Sequence, residues 1–212
     1  MQIKLYFILI LACFTNIEAI TIMLDPAGDG QHTGHEIDGT FERTITWQCA
    51  QEIKQQLIQI DPSIHVVMTR SPGDTIEPLQ TANFANRMHA DLFLHLSFYQ
   101  EKTIPNHVAI FYYVQNPTDH WHRYQPLYFY PVSQAHLINL KVTEKIAHFF
   151  SVTFEQKTIN TAFVPLGVFA LPYKPLFGIT PPALCIQAGL VHQKDWKYIV
   201  DPIVQSIKAI LL

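Results

Sequence analysis

Strand-like apolar runs at about 20–25, 64–69, 91–98, 107–114, 166–171 and 183–187 alternate with helical patterns at about 41–59, 77–89, 133–150 and 197–211. A chain whose hydrophobic period switches back and forth in this way has few means of burying all its apolar faces, and the alternation argues for an α/β layered domain. The first helix is the clearest. Ile45, Cys49, Ile53 and Leu57 recur every four residues as a stripe suited to packing on a sheet, Thr40 stands as its N-cap, and Asp61-Pro62-Ser63 ends it.

At 212 residues, with 49% hydrophobic side chains and a formal net charge of −3, the chain fits one globular domain with a substantial core. Nothing in it is basic enough for a nucleic-acid surface. Lys4 precedes an apolar run from Leu5 to Phe14, and Ile17-Glu18-Ala19 supplies a small residue before the first strand, the order expected of a secretory signal peptide over residues 1–19. The run is shorter than the roughly 20 residues a membrane-spanning helix needs. Export to the periplasm or the exterior follows, with an uncleaved membrane anchor, or lipidation at Cys13 in Ile10-Leu11-Ala12-Cys13, as the alternatives. Removing the leader leaves Cys49 and Cys185, which lie in apolar surroundings on different elements and read as buried free thiols; they lack the close spacing of a metal site.

Between Asn116 and Val132 the chain carries Trp121, Tyr124, Tyr128, Phe129 and Tyr130 among prolines, with His120 and His122 interleaved. The pattern fits neither a strand nor a helix and reads as a surface excursion, either packed over a hydrophobic edge or offering a sugar or peptide surface.

Four short stretches carry a family likeness in order along the chain. Asp25-Pro26-Ala27-Gly28-Asp29-Gly30 follows the first strand; Gly39-Thr40-Phe41-Glu42-Arg43 opens the first helix; Ala85-Asn86 and Ala90-Asp91-Leu92-Phe93 lead into His95-Leu96-Ser97; and Pro182-Ala183-Leu184-Cys185-Ile186-Gln187-Ala188-Gly189-Leu190 forms the last strand. Together they resemble the zinc-dependent N-acetylmuramoyl-L-alanine amidases of the bacterial cell wall. The resemblance implies a single domain over residues 20–212 with a central mixed, mostly parallel twisted sheet flanked by helices. It also implies a zinc held by histidines at the positions of Gly28 and Ser97 and by Glu42, with a glutamate acid/base at the position of Gln187.

Three of those four chemical positions have changed. Glycine has no donor atom, a serine hydroxyl is a weak zinc ligand, and a neutral amide cannot act as a general base near neutral pH. Glu42 survives, although an acid in the first turn of a helix is also favoured by the helix dipole. Gln187 equally suits a strand end where it satisfies polar neighbours, and Asp25, ahead of Pro26, suits a loop-holding role.

His95 lies two residues before Ser97 on the same strand face, about 6.5 Å away. With His32 in the loop ahead of Glu42, this makes a displaced His32, Glu42, His95 set conceivable. The expectation is an exported amidase-fold protein without a cofactor that binds peptidoglycan or muropeptide, or that regulates a true amidase or another envelope protein. An active zinc amidase with relocated ligands and a protein-interaction module built on the aromatic excursion are the alternatives.

Overall fold

The computed structural model describes residues 20–77, 79–116 and 131–211. The leader with Cys13 and the aromatic residues from Trp121 to Tyr130 lie outside the described residues. Six strands form one sheet: β1 (Thr21–Pro26), β4 (His65–Met68), β5 (Leu92–Gln100), β6 (His107–Tyr113), β7 (Val164–Leu171) and β8 (Ala183–Leu190). Their order is β4-β1-β5-β8-β6-β7. The β1/β4, β1/β5, β5/β8 and β6/β7 pairs are parallel, and β6/β8 is antiparallel. The sheet is therefore mixed and mostly parallel, as expected.

Covering both faces explains why the central strands read as unbroken apolar runs. One face, with Ile22, Leu24, Leu94, Leu96, Phe98 and Ile186, packs in a single core with α1 (Glu42–Ile60), α3 (Leu140–Glu155) and α4 (Lys197–Leu211). Ile45, Cys49, Ile53 and Leu57 are all buried there, so the four-residue stripe is the packing face of α1. The other face, with Met23, Phe93 and Cys185, packs against α2 (Gln80–Met88) and the segment holding Leu176 and Ile179. Cys49 and Cys185 thus belong to cores on opposite faces of the sheet. Both are free thiols, and burial pushes both well above the ordinary thiol pKa.

Three local expectations are corrected. Thr40 is not the N-cap of α1: it pairs with Ile37 in a two-residue antiparallel ladder between β2 (Glu36–Ile37) and β3 (Thr40–Phe41), and Phe41 caps the helix without a side-chain bond. The helical pattern from 133 is split at Asn139, whose amide donates to Thr180 O at 2.8 Å, leaving a 3₁₀ helix (Val132–Ile138) ahead of α3. The expected helix over 77–89 contracts to α2, which ends at His89 with φ +47°. Among the described residues no helix is long and apolar enough to cross a membrane.

The connections from β1 fix where chemistry can sit. Its next sheet partner in sequence, β4, lies on one side and β5 on the other, so the carboxyl ends of β1 and β5 flank a topological switch point, where open α/β sheets bind their ligands. Farther along the same edge, His107 at the start of β6 lies over Gly189 of β8, where a Cβ would overlap the imidazole. We expect Gly189→Ala to destabilise the protein by about 1–3 kcal/mol through overpacking. The penalty should shrink in the His107→Ala background, measured as a double-mutant cycle by urea denaturation.

Candidate functional site

Parallel pairing sets Asp25 beside His95 on one face at the switch point. The Asp25 carboxylate reaches in two directions: Oδ1 accepts from the Thr69 hydroxyl at 2.6 Å, and Oδ2 lies 2.6 Å from His95 Nδ1. A carboxylate oxygen accepts, so Nδ1 is the donor and the imidazole keeps Nε2 for other use. Asp25 does hold the loop, by tying the ends of β1, β4 and β5 together.

Beyond Pro26 the backbone turns through Gly28 at φ +77°, a region that side-chain-bearing residues rarely adopt. A Cβ here would lie 2.7 Å from Arg43 Cβ and 3.1 Å from His32 O. Asp29 organises the next turn of the loop: its carboxylate accepts from the N–H groups of Gln31 at 2.7 Å, His32 at 2.6 Å and Ile76 at 3.2 Å. Burial works against the charge, but the N–H donors of His32, Ile76 and Gln31 outweigh it and hold the Asp29 pKa at about 2.

Two arginines close the loop from behind. Arg43 donates to the carbonyls of Asp29 and Gly30, each at 3.1 Å. Buried Arg70 donates to the carbonyls of Pro26 at 2.9 Å, Ala27 at 3.1 Å and Arg43 at 2.8 Å. Burial draws the Arg70 pKa below its ordinary value, with Asp25 and Asp29 opposing.

Glu42, the first residue of α1, extends over the carboxyl end of β5. Its Oε1 accepts from the Ser97 hydroxyl at 3.0 Å and from the Phe98 N–H at 2.8 Å, while Oε2 accepts from the His35 N–H at 3.1 Å. Gly34 packs so closely that a Cβ there would run into the Glu42 carboxylate. Gln187 sits in register with Ser97 on the adjacent strand. Tyr173 leans in beside Ser97 and Cys185; burial raises its phenol pKa, and Cys185 raises it further. Next to this cluster the Tyr99 hydroxyl and His107 Nε2 are 2.5 Å apart, and His107 Nδ1 is 3.0 Å from Pro105 O. Because a carbonyl only accepts, Nδ1 carries the proton and Nε2 receives the Tyr99 hydroxyl.

The positions that the amidase resemblance assigns to metal binding are thus partly together: Glu42 and Ser97 are in direct contact, and Gly28 packs against Arg43 one residue along from Glu42. Their donor chemistry does not fit zinc. Gly28 offers nothing, Ser97 is a neutral hydroxyl, and Glu42 already receives three protein donors. The displaced set is not assembled either. His32 pairs with Asp29 and has a side chain 79% exposed, His95 is bound to Asp25, and Glu42 to Ser97. Among the described residues no three His, Cys, Asp or Glu side chains converge as a metal cage.

The N-acetylmuramoyl-L-alanine amidase family (Amidase_3) matches residues 22–210, and the chain belongs to that family. Over 75 residues it is 31% identical to the N-acetylmuramoyl-L-alanine amidase CwlM of Bacillus licheniformis, a match covering 35% of this chain and only 30% of that relative. The fold is that of the amidase Ami1 from Mycobacterium abscessus (TM-score 0.68, 16% identity, 92% of this chain and 100% of the other). It is also that of an amidase from Clostridium difficile 630 (TM-score 0.66, 17% identity, 92% and 97%). The CwlD amidase of Clostridioides difficile, solved in complex with the GerS lipoprotein, aligns with TM-score 0.58 at 13% identity over 89% of this chain and 94% of that one.

Sequence reasoning missed Asp29, Arg43, Arg70, Tyr173 and the Tyr99/His107 pair. An Asp followed within a few residues by Gly and His in a loop was a usable turn signal for Asp29. The two arginines act on backbone carbonyls, which leave no sequence pattern.

Gly28→Ala should cost about 1–3 kcal/mol, because left-handed backbone strain adds to the clash with Arg43; urea denaturation of the variant beside wild type measures it. Asp29, whose folded pKa is held below the usual carboxylate range, contributes stability that is present above the unfolded pKa and lost as pH falls through about 2. Asp29→Asn should therefore be less stable than wild type at neutral pH, and the gap should narrow as pH falls from the unfolded carboxylate pKa towards about 2 in paired denaturation curves.

Proposed function

We propose that this protein is an exported, cell-wall amidase-fold protein that has lost zinc-dependent hydrolysis and that binds peptidoglycan or muropeptide, or regulates its cleavage by a true amidase. The observation that carries the reading is the closure of the Glu42 carboxylate on Ser97, Phe98 and His35. A zinc-bound glutamate must aim an oxygen at an open position shared with two other ligands, whereas both oxygens here are taken up by the protein. Gly28 adds to this. A histidine at that position would need the loop rebuilt around Arg43, so the change goes deeper than one lost side chain. Gln187, in register with Ser97, carries no carboxylate to take a proton from water.

Membership of the amidase family supports a cell-wall glycopeptide as the ligand, and the leader read in residues 1–19 supports export. A protein partner in the envelope is consistent with the CwlD amidase having been solved with a lipoprotein. One observation favours the alternative of relocated ligands. A histidine whose Nδ1 donates to a carboxylate, as His95 does to Asp25, has the arrangement commonly found behind metal-bound histidines.

Metal content separates the two. Purified protein dialysed against zinc should retain far less than one zinc per chain, and stoichiometric zinc lost on His95→Ala would establish the alternative. Incubated with sacculi, the protein should pellet with the wall yet release no stem peptide detectable by mass spectrometry. Stem peptide whose release disappears in Glu42→Ala would overturn the loss of hydrolysis, and failure to pellet would overturn wall binding.

A further inference from the structure

Between the first turns of α1 and the turn after β4 lies a cavity of about 370 Å³. Arg43, Trp47 and Gln48 line it from α1, and Arg70 and Pro72 line it from the turn. Asp29 and Arg70 also border the cleft beside His95, whereas Arg43, Thr44, Trp47 and Gln48 line this cavity and not the cleft. Glu42, His95, Ser97 and Gln187 do not line it, so it is separate from the cluster at the carboxyl ends of β1 and β5. The volume falls in the range usual for small-molecule sites, roughly 300–1,000 Å³.

The two guanidiniums are the informative groups, since each carries its N–H donors in a planar fork. Arg43 spends Nη1 on the carbonyls of Asp29 and Gly30, which leaves Nε and Nη2 without a partner among the described residues. Arg70, only 6% exposed, spends Nε and Nη2 on three carbonyls, and its Nη1 has no partner among the described residues either. Because every fully buried side-chain nitrogen there has a partner, that Nη1 keeps accessible surface. Neither arginine has an ion pair among the described residues. Burial lowers the Arg70 pKa and the Arg43 charge lowers it further, against Asp25, Asp29 and Asp74. The carboxylate on the wall, Asp29, already accepts from three N–H groups. Beside the arginines Trp47 is half-buried, and Thr44 and Gln48 on the same helix are exposed.

The geometry points to a binding site for a sugar phosphate monoester. Guanidinium forks match phosphate oxygens, and the open donors approach from two elements, Arg43 on α1 and Arg70 after β4. A monoester presents three terminal oxygens to them, a diester only two, and a carboxylate two in a single plane. The sugar ring lays its C–H face on the Trp47 indole, and its hydroxyls meet the Thr44 hydroxyl and the Gln48 amide. Inorganic phosphate shares the anion but leaves Trp47 uncovered. This site goes beyond the wall-binding reading and does not rest on it: a protein that binds the sugar phosphate but fails to pellet with sacculi refutes that reading alone.

The test is calorimetric titration of the purified protein at low salt with glucose 6-phosphate, glucose and inorganic phosphate. Glucose 6-phosphate should bind saturably and roughly tenfold or more tighter than glucose, the worth of one hydrogen bond between charged groups. It should also bind tighter than inorganic phosphate, and Trp47→Ala should erase that second advantage. Gln48→Glu and Thr44→Glu change exposed helix positions and leave the carbonyl contacts of both arginines in place. Each should keep its melting temperature and weaken glucose 6-phosphate by about two- to fivefold, and Gln48→Lys should tighten it by a similar factor. Thr81→Glu, which puts the same charge on the cleft beside His95, should leave binding unchanged. Equal affinity for glucose or inorganic phosphate and glucose 6-phosphate, binding indifferent to both Gln48→Glu and Thr44→Glu in folded protein, or a loss in Thr81→Glu as large as in Gln48→Glu would overturn the assignment.

Discussion

The end of the sheet depends on the Glu42 carboxylate being hydrogen-bonded through both oxygens. Taking a carboxylate out of water is costly unless donors replace the lost hydration, and three do: the Ser97 hydroxyl and the Phe98 and His35 N–H groups. Because those donors come from β5 and from the loop before β2, one side chain at the start of α1 fixes the helix, the strand and the loop relative to each other. Gly34 is part of the same arrangement, since only a residue without Cβ lets the loop approach the carboxylate.

The neighbouring loop is held by a parallel set of compensations. Asp25 bridges β4 and β5 through Thr69 and His95, Asp29 gathers three N–H groups, and Arg43 and Arg70 collect the carbonyls that a loop at a strand end would otherwise leave to water. The carboxyl ends of β1 and β5 are thus organised by direct hydrogen bonds between the chain's own groups. The closed carboxylate's partner Ser97 and the open imidazole of His95 are two residues apart along one strand face. That short separation divides a filled cluster at Ser97 from an accessible cavity at His95.

Much of the site was legible as a list of positions. The match of Asp25-Pro26, Glu42, Ala90-Asp91-Leu92-Phe93 and the last strand located β1, the start of α1, β5 and β8, and put Glu42 and Ser97 near one another, as they are. The displaced His32, Glu42, His95 set was a reading of spacing, and in the structure its three members are bonded to three different partners. His32 turns to solvent beside Asp29, and the His95 ring is drawn down onto Asp25, so each meets a nearer partner first. Thr40 failed as an N-cap for a similar reason, because the pairing of Ile37 with Thr40 claimed its backbone for a ladder.

By itself, the sequence determined the architecture: the positions of six strands and four helices, the buried stripe of α1, the cysteines as isolated buried thiols and the family. These come from hydrophobic periodicity and local motifs, which act between residues close along the chain. Only the tertiary structure decided which polar groups are already satisfied. Thr69 meets Asp25 across 44 positions, Ser97 meets Glu42 across 55 and His95 meets Asp25 across 70. Whether a carboxylate is closed or an imidazole nitrogen is left open depends on such distant pairings, and hydrogen bonds are directional over a few tenths of an ångström, a precision that residue type and spacing do not carry.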